Sequence, residues 1–181
     1  MRYLIGQAFG LLATVFCILN PVFKKKWQML AGNISANLFL ALNLVFIDRI
    51  GSGIFLFLVA IVQSIFGMVH TVKDTKVSKA ENGIFLLLYL GLGFYGLICA
   101  PGYVPGINCQ NLLELLPIIG AVLSMCFVSA RQERTARRFL LGCNSVWTVY
   151  HAIIGSTSFF GSFISVVTGI IAIYKNEKVK A

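Results

Sequence analysis

An all-α membrane protein, a helix bundle with seven transmembrane spans, is the fold class this sequence predicts. Three observations carry it. Of 181 residues, 58% are hydrophobic and only 12% charged, about half the charged share of a soluble domain. The apolar residues fall into seven runs separated by short gaps. Lys and Arg occupy the gaps, and their abundance alternates from one gap to the next.

Each span needs roughly 20 apolar residues to cross about 30 Å of hydrocarbon, so seven take about 140. Nearly the whole chain is then in or at the bilayer, and residues 1–181 form one integral membrane domain. The formal net charge of +9 does not point to nucleic acid, because the cations lie where membrane topology requires them.

The runs are 3–22, 27–46, 51–72, 82–100, 110–130, 138–155 and 157–174. The first could be read as a signal peptide. It has only Arg2 before it, no small-x-small cleavage site, and Lys24, Lys25 and Lys26 after it, so a retained span is expected. The third ends at Lys73, Lys76 and Lys79, the fifth at Arg131, Arg134, Arg137 and Arg138, and the last at Lys175, Lys178 and Lys180. Only Arg2 and Arg49 fall on the other side. Lys and Arg stay cytoplasmic, which puts the N-terminus outside and the C-terminus in the cytoplasm. The gap 101–110 carries Pro-Gly turn signals. Gly155-Ser-Thr-Ser158 is barely a turn, so the last two spans form an antiparallel hairpin.

Spans 1–3 and 5–7 share an architecture: a basic cluster after the first helix, a tight turn after the second, and a basic end to the third. One constant offset pairs Gly10 with Gly120, Lys24 with Arg134, Gly32 with Gly142, Ser35 with Ser145, Gly51 with Gly161 and Ser52 with Ser162. A parallel repeat of residues 1–75 and 108–177 follows, with the helix 82–100 as linker. Repeats of this kind occur in transporters.

In hydrocarbon, polar side chains need partners inside the protein. Asn33 and Asn37 share one face of span 2, with Asn43 further along. Gln63 and Ser64 lie in span 3. Asn144, Trp147 and His151 share a face of span 6, as do Ser162, Ser165 and Thr168 of span 7. One reading is a polar cavity in which amides and an indole face bind a polar solute. The other is interhelical hydrogen bonding. His151 is either an intramembrane proton site or a neutral, hydrogen-bonded imidazole. Glu114, before Pro117, is either a coupling carboxylate or a helix-start acid.

The five cysteines have no CxxC or Cys/His metal spacing. Cys99 and Cys109 fall near one membrane face and either pair or remain free thiols. No GxSxG, HExxH, P-loop or GxGxxG motif occurs, and no carboxylate pair lies within the membrane. Neither an enzyme nor a cofactor nor a metal is expected.

The stretch Glu114-Leu-Leu-Pro-Ile-Ile-Gly120, then Cys143-Asn-Ser-Val-Trp147, His151, Gly155 and Ser156, resembles the bacterial inner-membrane YgjV family. That resemblance implies a location and no mechanism. The three-plus-one-plus-three plan is similar to SWEET and PQ-loop transporters, in which the first helix of each triplet carries Pro and Asn and Trp surround the solute. Pro117, Asn144 and Trp147 match. The first triplet departs, with Pro21 only at a helix end, no Pro-Gln dipeptide, and no Trp beside Asn33 and Asn37. The expectation is a small-solute transporter with Asn33, Asn37, Asn144, Trp147 and His151 around a polar metabolite. The alternative is a non-transporting membrane interaction or structural protein. The expected partners are the lipid bilayer, a small polar solute and, in a homo-oligomer, a second copy of the chain.

Overall fold

The computed structural model describes residues 1–48, 52–99, 103–106 and 108–178. Arg49, Gly51, Pro101 and Lys180, and with them one pair of the repeat offset, lie outside the described residues. Among the described residues there are seven α-helices: α1 (Arg2–Leu19), α2 (Lys26–Phe46), α3 (Ser52–Val72), α4 (Lys79–Ile98), α5 (Cys109–Ser129), α6 (Glu133–Ile153) and α7 (Ser158–Lys178). A 3-10 turn, Asn20–Val22, extends α1 to the end of its apolar run.

Local chemistry sets the boundaries. Helix α4 starts at Lys79 rather than at 82 because Ser78 caps it. The Glu81 N–H donates to Ser78 Oγ at 3.1 Å, and the Ser78 N–H donates to Glu81 Oε2 at 2.6 Å, a reciprocal capping box. Asn108 caps α5 by accepting from the Asn111 N–H at 2.8 Å. Gly155, at φ +67°, makes the turn between α6 and α7, a left-handed conformation that suits glycine.

Six of these helices are long and apolar enough to cross a membrane; α6 is not among them. Its first turns hold Glu133, Arg134, Arg137 and Arg138, and its midsection holds Asn144, Ser145 and Thr148. It starts at Glu133, not at 138, because helix formation tolerates the charged residues that end an apolar run. Connectivity still carries it through the bundle. Before α6, Ala130 O accepts from Lys26 Nζ at 2.6 Å, beside the start of α2. After α6, Ser158 Oγ donates to Asn43 Oδ1 at 3.3 Å, near the end of α2. Helix α6 therefore runs the length of α2. Its 21 residues reach about 31 Å at 1.5 Å per residue.

The helices α1, α2, α3, α5, α6 and α7 pack in that order as a closed ring, α7 returning to α1, while α4 sits outside against α3 and α5. Where α7 crosses α1, a Cβ on Gly161 would lie 2.6 Å from the Thr14 Cα, so only glycine permits that approach. Small residues play this part between membrane helices. One apolar cluster spans the ring, joining Ala13 and Cys17 of α1, Leu40 and Leu44 of α2, Phe57 of α3, and Trp147 and Tyr150 of α6. Facing outward are Leu11, Val15, Leu58, Val62, Leu87, Ile119 and Ile170, all exposed. In water such a belt would be an aggregation surface; in lipid it is the expected exterior.

Candidate functional site

The polar residues inside the ring divide into three sets. The first closes the end of the bundle opposite the basic gaps. Asn43 is wholly buried. Its Nδ2 donates to Gly6 O at 2.8 Å, and its Oδ1 accepts from Ser156 Oγ at 2.7 Å and Ser158 Oγ at 3.3 Å. Thr157 adds a backbone N–H to Gln7 Oε1 at 2.9 Å. These bonds tie α1 and α2 to the α6–α7 turn. At the surface of the same end, Arg2 and Asp48 pair at 3.4 Å.

The second set lies mid-ring. Asn33 Nδ2 donates to Ser64 Oγ at 2.9 Å, joining α2 to α3. Asn144 Nδ2 donates to Ser165 Oγ at 2.7 Å, joining α6 to α7. Tyr89 donates to Gln63 Oε1 at 2.7 Å, pinning α4 to α3. Asn33, Asn37, Asn144 and Trp147 line one narrow cavity of about 30 Å³, together with Asn20, Ser124 and Ser162. That space admits about one water. Trp147 forms one wall, stacked on Phe57 with centroids 4.4 Å apart. Gly120 lets the indole approach α5: a Cβ there would sit 2.8 Å from Trp147 Nε1.

Two cavity residues have orphaned polar atoms. Asn37 Nδ2 and Asn20 Oδ1 are buried with no hydrogen-bond partner. Buried polar atoms are nearly always paired, and one left unpaired costs about 1–3 kcal/mol.

The structure thus brings together four of the five expected site residues. His151 does not line this cavity. It is fully buried, stacked on Trp147 with centroids 5.6 Å apart and edge-on to Tyr150 at 5.6 Å. Neither of its ring nitrogens has a hydrogen-bond partner. Glu114 is half-buried on α5, which continues through Pro117. Cys99 and Cys109 are free and exposed. Sequence reasoning missed Asn20 and Ser124. Asn20 sits at a helix end and Ser124 is alone on its stretch of α5, so neither belongs to a polar helix face.

The third set is at the basic end. Besides the Lys26 contact with Ala130, Arg137 Nη2 donates to Phe23 O at 3.1 Å, and Ser129 donates to Asn82 Oδ1 at 2.5 Å. The gaps after α1, α3 and α5 therefore converge there.

A family model described as a bacterial inner membrane protein, Imp-YgjV, matches residues 4–180. No curated protein and no solved structure matches the chain.

Proposed function

The chain belongs to the Imp-YgjV family of bacterial inner membrane proteins, and from that premise we propose that it is a small-solute transporter. It moves a polar metabolite by alternating access, with Asn33, Asn37, Asn144 and Trp147 around the solute. His151 stands behind Trp147 as a positioning residue. The N-terminus is outside and the C-terminus is cytoplasmic, as the basic gaps require. No catalytic chemistry is assigned.

The observation that carries the proposal is the Asn37 amide. Asn37 lines a cavity built from both halves of the ring, and its Nδ2 is buried with no partner. The amide nitrogens of Asn33 and Asn144 donate to serine hydroxyls on neighbouring helices, whereas that of Asn37 does not. An unpaired donor on a residue that lines the cavity suits a ligand acceptor once the helices part. The ring supports the mechanism. Its two seams, α1 with α7 and α3 with α5, are where two triplets would rock. The offset that relates Gly10 to Gly120 also relates Asn37 to Trp147. A cavity of about 30 Å³ is too small for a sugar or an amino acid, so in this mechanism the triplets part to load.

The second reading is a non-transporting interaction or structural protein. The same small volume and the Asn33 and Asn144 hydrogen bonds favour it.

The test is thermal unfolding of the purified protein against sugars, amino acids and small organic ions. A ligand at about 100 times its dissociation constant adds roughly 2.7 kcal/mol. The proposal requires a stabilising solute whose effect disappears in Trp147→Ala. Asn37→Leu separates the readings further. It removes an unpaired polar group, so stability should hold or rise while the solute response is lost. In Asn33→Leu and Asn144→Leu, loss of stability with no solute response in the wild type supports the structural reading.

A further inference from the structure

The charged end of the bundle holds a second feature, independent of the transport reading. A half-open basin of about 990 Å³ lies between the starts of α2 and α6 and the α3–α4 connection. Ligand sites commonly occupy about 300–1,000 Å³. Five cations line it: Lys25, Lys26, Lys76, Arg131 and Arg134. Two carboxylates, Asp74 and Glu133, line it as well, which leaves the basin positive. His70, also on the wall, is occupied with Thr75 Oγ1 at 2.7 Å and Glu81 Oε1 at 3.0 Å. Lys26 is held by Ala130 O. Among the described residues, Lys25, Lys76 and Arg131 have no carboxylate partner.

The backbone adds donors. Helices α2 and α6 both begin at this basin, and at neither does the side chain in the cap position accept from a backbone N–H, although Gln28 Oε1 accepts from the Lys25 N–H at 3.4 Å. The residues at the cap positions are Lys25, which cannot accept a hydrogen bond, and Gln132. Helix α4, starting at the same end, is capped by Ser78. The basin therefore offers ammonium and guanidinium groups together with first-turn backbone N–H groups and the positive ends of two helix dipoles. A phosphate group, with several strong acceptor oxygens, matches that donor set. Trp27, half-exposed on the rim, is the residue type expected at headgroup depth.

We propose that this basin is a binding site for a phosphate-bearing anion. The phosphate can belong to an anionic phospholipid headgroup or to a soluble polyphosphate, and the two sources are separable. The full chain in neutral detergent at low salt is melted with phosphatidylglycerol, with inorganic pyrophosphate, and with phosphatidylcholine as the neutral lipid control. The variants are the triple Lys25→Gln/Lys76→Gln/Arg131→Gln and Lys175→Gln. Lys175 is exposed on α7 at the same end and lies outside the basin.

The expected result is stabilisation by at least one of the two anions and not by phosphatidylcholine. A response to phosphatidylglycerol alone assigns a lipid, and a response to pyrophosphate alone assigns a soluble ligand. Affinity in the triple variant should fall about tenfold or more, while Lys175→Gln binds as the wild type. If the triple variant does not fold, Lys76→Gln alone should weaken binding roughly threefold. The proposal is overturned if neither anion stabilises the wild type. It is equally overturned if Lys175→Gln loses as much as the basin variants, since the attraction would then be diffuse, or if the basin variants bind unchanged.

Discussion

Asn43→Ala is predicted to be among the more destabilising substitutions within the ring. Asn43 makes three hydrogen bonds, to Gly6, Ser156 and Ser158. Side-chain hydrogen bonds between membrane helices average about 0.6 kcal/mol and reach about 1.7. Three average bonds give about 2 kcal/mol. The truncation also leaves the hydroxyls of Ser156 and Ser158 buried without their acceptor, which raises the expected loss toward about 3 kcal/mol. Reversible SDS unfolding in mixed micelles, followed by far-UV circular dichroism, measures it. A double-mutant cycle with Ser156→Ala isolates one bond, and its coupling should be about 0.6 kcal/mol with a ceiling near 1.7. A loss below about 0.5 kcal/mol in Asn43→Ala, or no coupling to Ser156, would refute the claim that this network holds the end of the bundle together.

Three further outcomes follow from named contacts. Gly120→Ala forces a methyl against the Trp147 indole; a loss of about 1–3 kcal/mol and a shift in Trp147 emission in a Trp27→Phe background are expected, and an unmoved spectrum would contradict the packing. Ser78→Ala removes the α4 cap, which should cost about 1 kcal/mol and speed hydrogen exchange in the first turn of α4 alone. Cys99 and Cys109 are exposed at the end opposite the basic gaps; in intact cells a membrane-impermeant maleimide applied outside should label them, and the label should vanish in Cys99→Ser/Cys109→Ser. Labelling only after permeabilisation would reverse the proposed orientation.

The helical spans were legible because hydropathy and charge are local properties. Residues 27–46 and 110–130 came within a residue of α2 and α5. The start of α6 was not legible by the same route. Arg134, Arg137 and Arg138 read as gap residues, although helix α6 runs through them and Arg137 donates to Phe23 O. Three- and four-residue spacing identified the polar faces, and the structure places Asn33, Asn37, Asn144 and Trp147 around one cavity. Spacing reports which residues share a face, not which neighbouring helices wall the cavity at each depth. His151 shares the Trp147 face but lies one turn beyond it, against Tyr150. Asn20 and Ser124 reach the cavity only because the Asn20–Val22 turn packs beside α2 and α5 beside α6, a tertiary fact with no periodic signature. The basin at the charged end was hidden for the same reason, because its cations come from three connections far apart in sequence.

Uptake of a radiolabelled solute into proteoliposomes tests the transport reading most directly, comparing the wild type with Asn37→Leu. The account predicts time-dependent uptake by the wild type of a solute that stabilises it, and background uptake by a variant at least as stable. No uptake by the wild type of any stabilising solute, or equal uptake by Asn37→Leu, would contradict it.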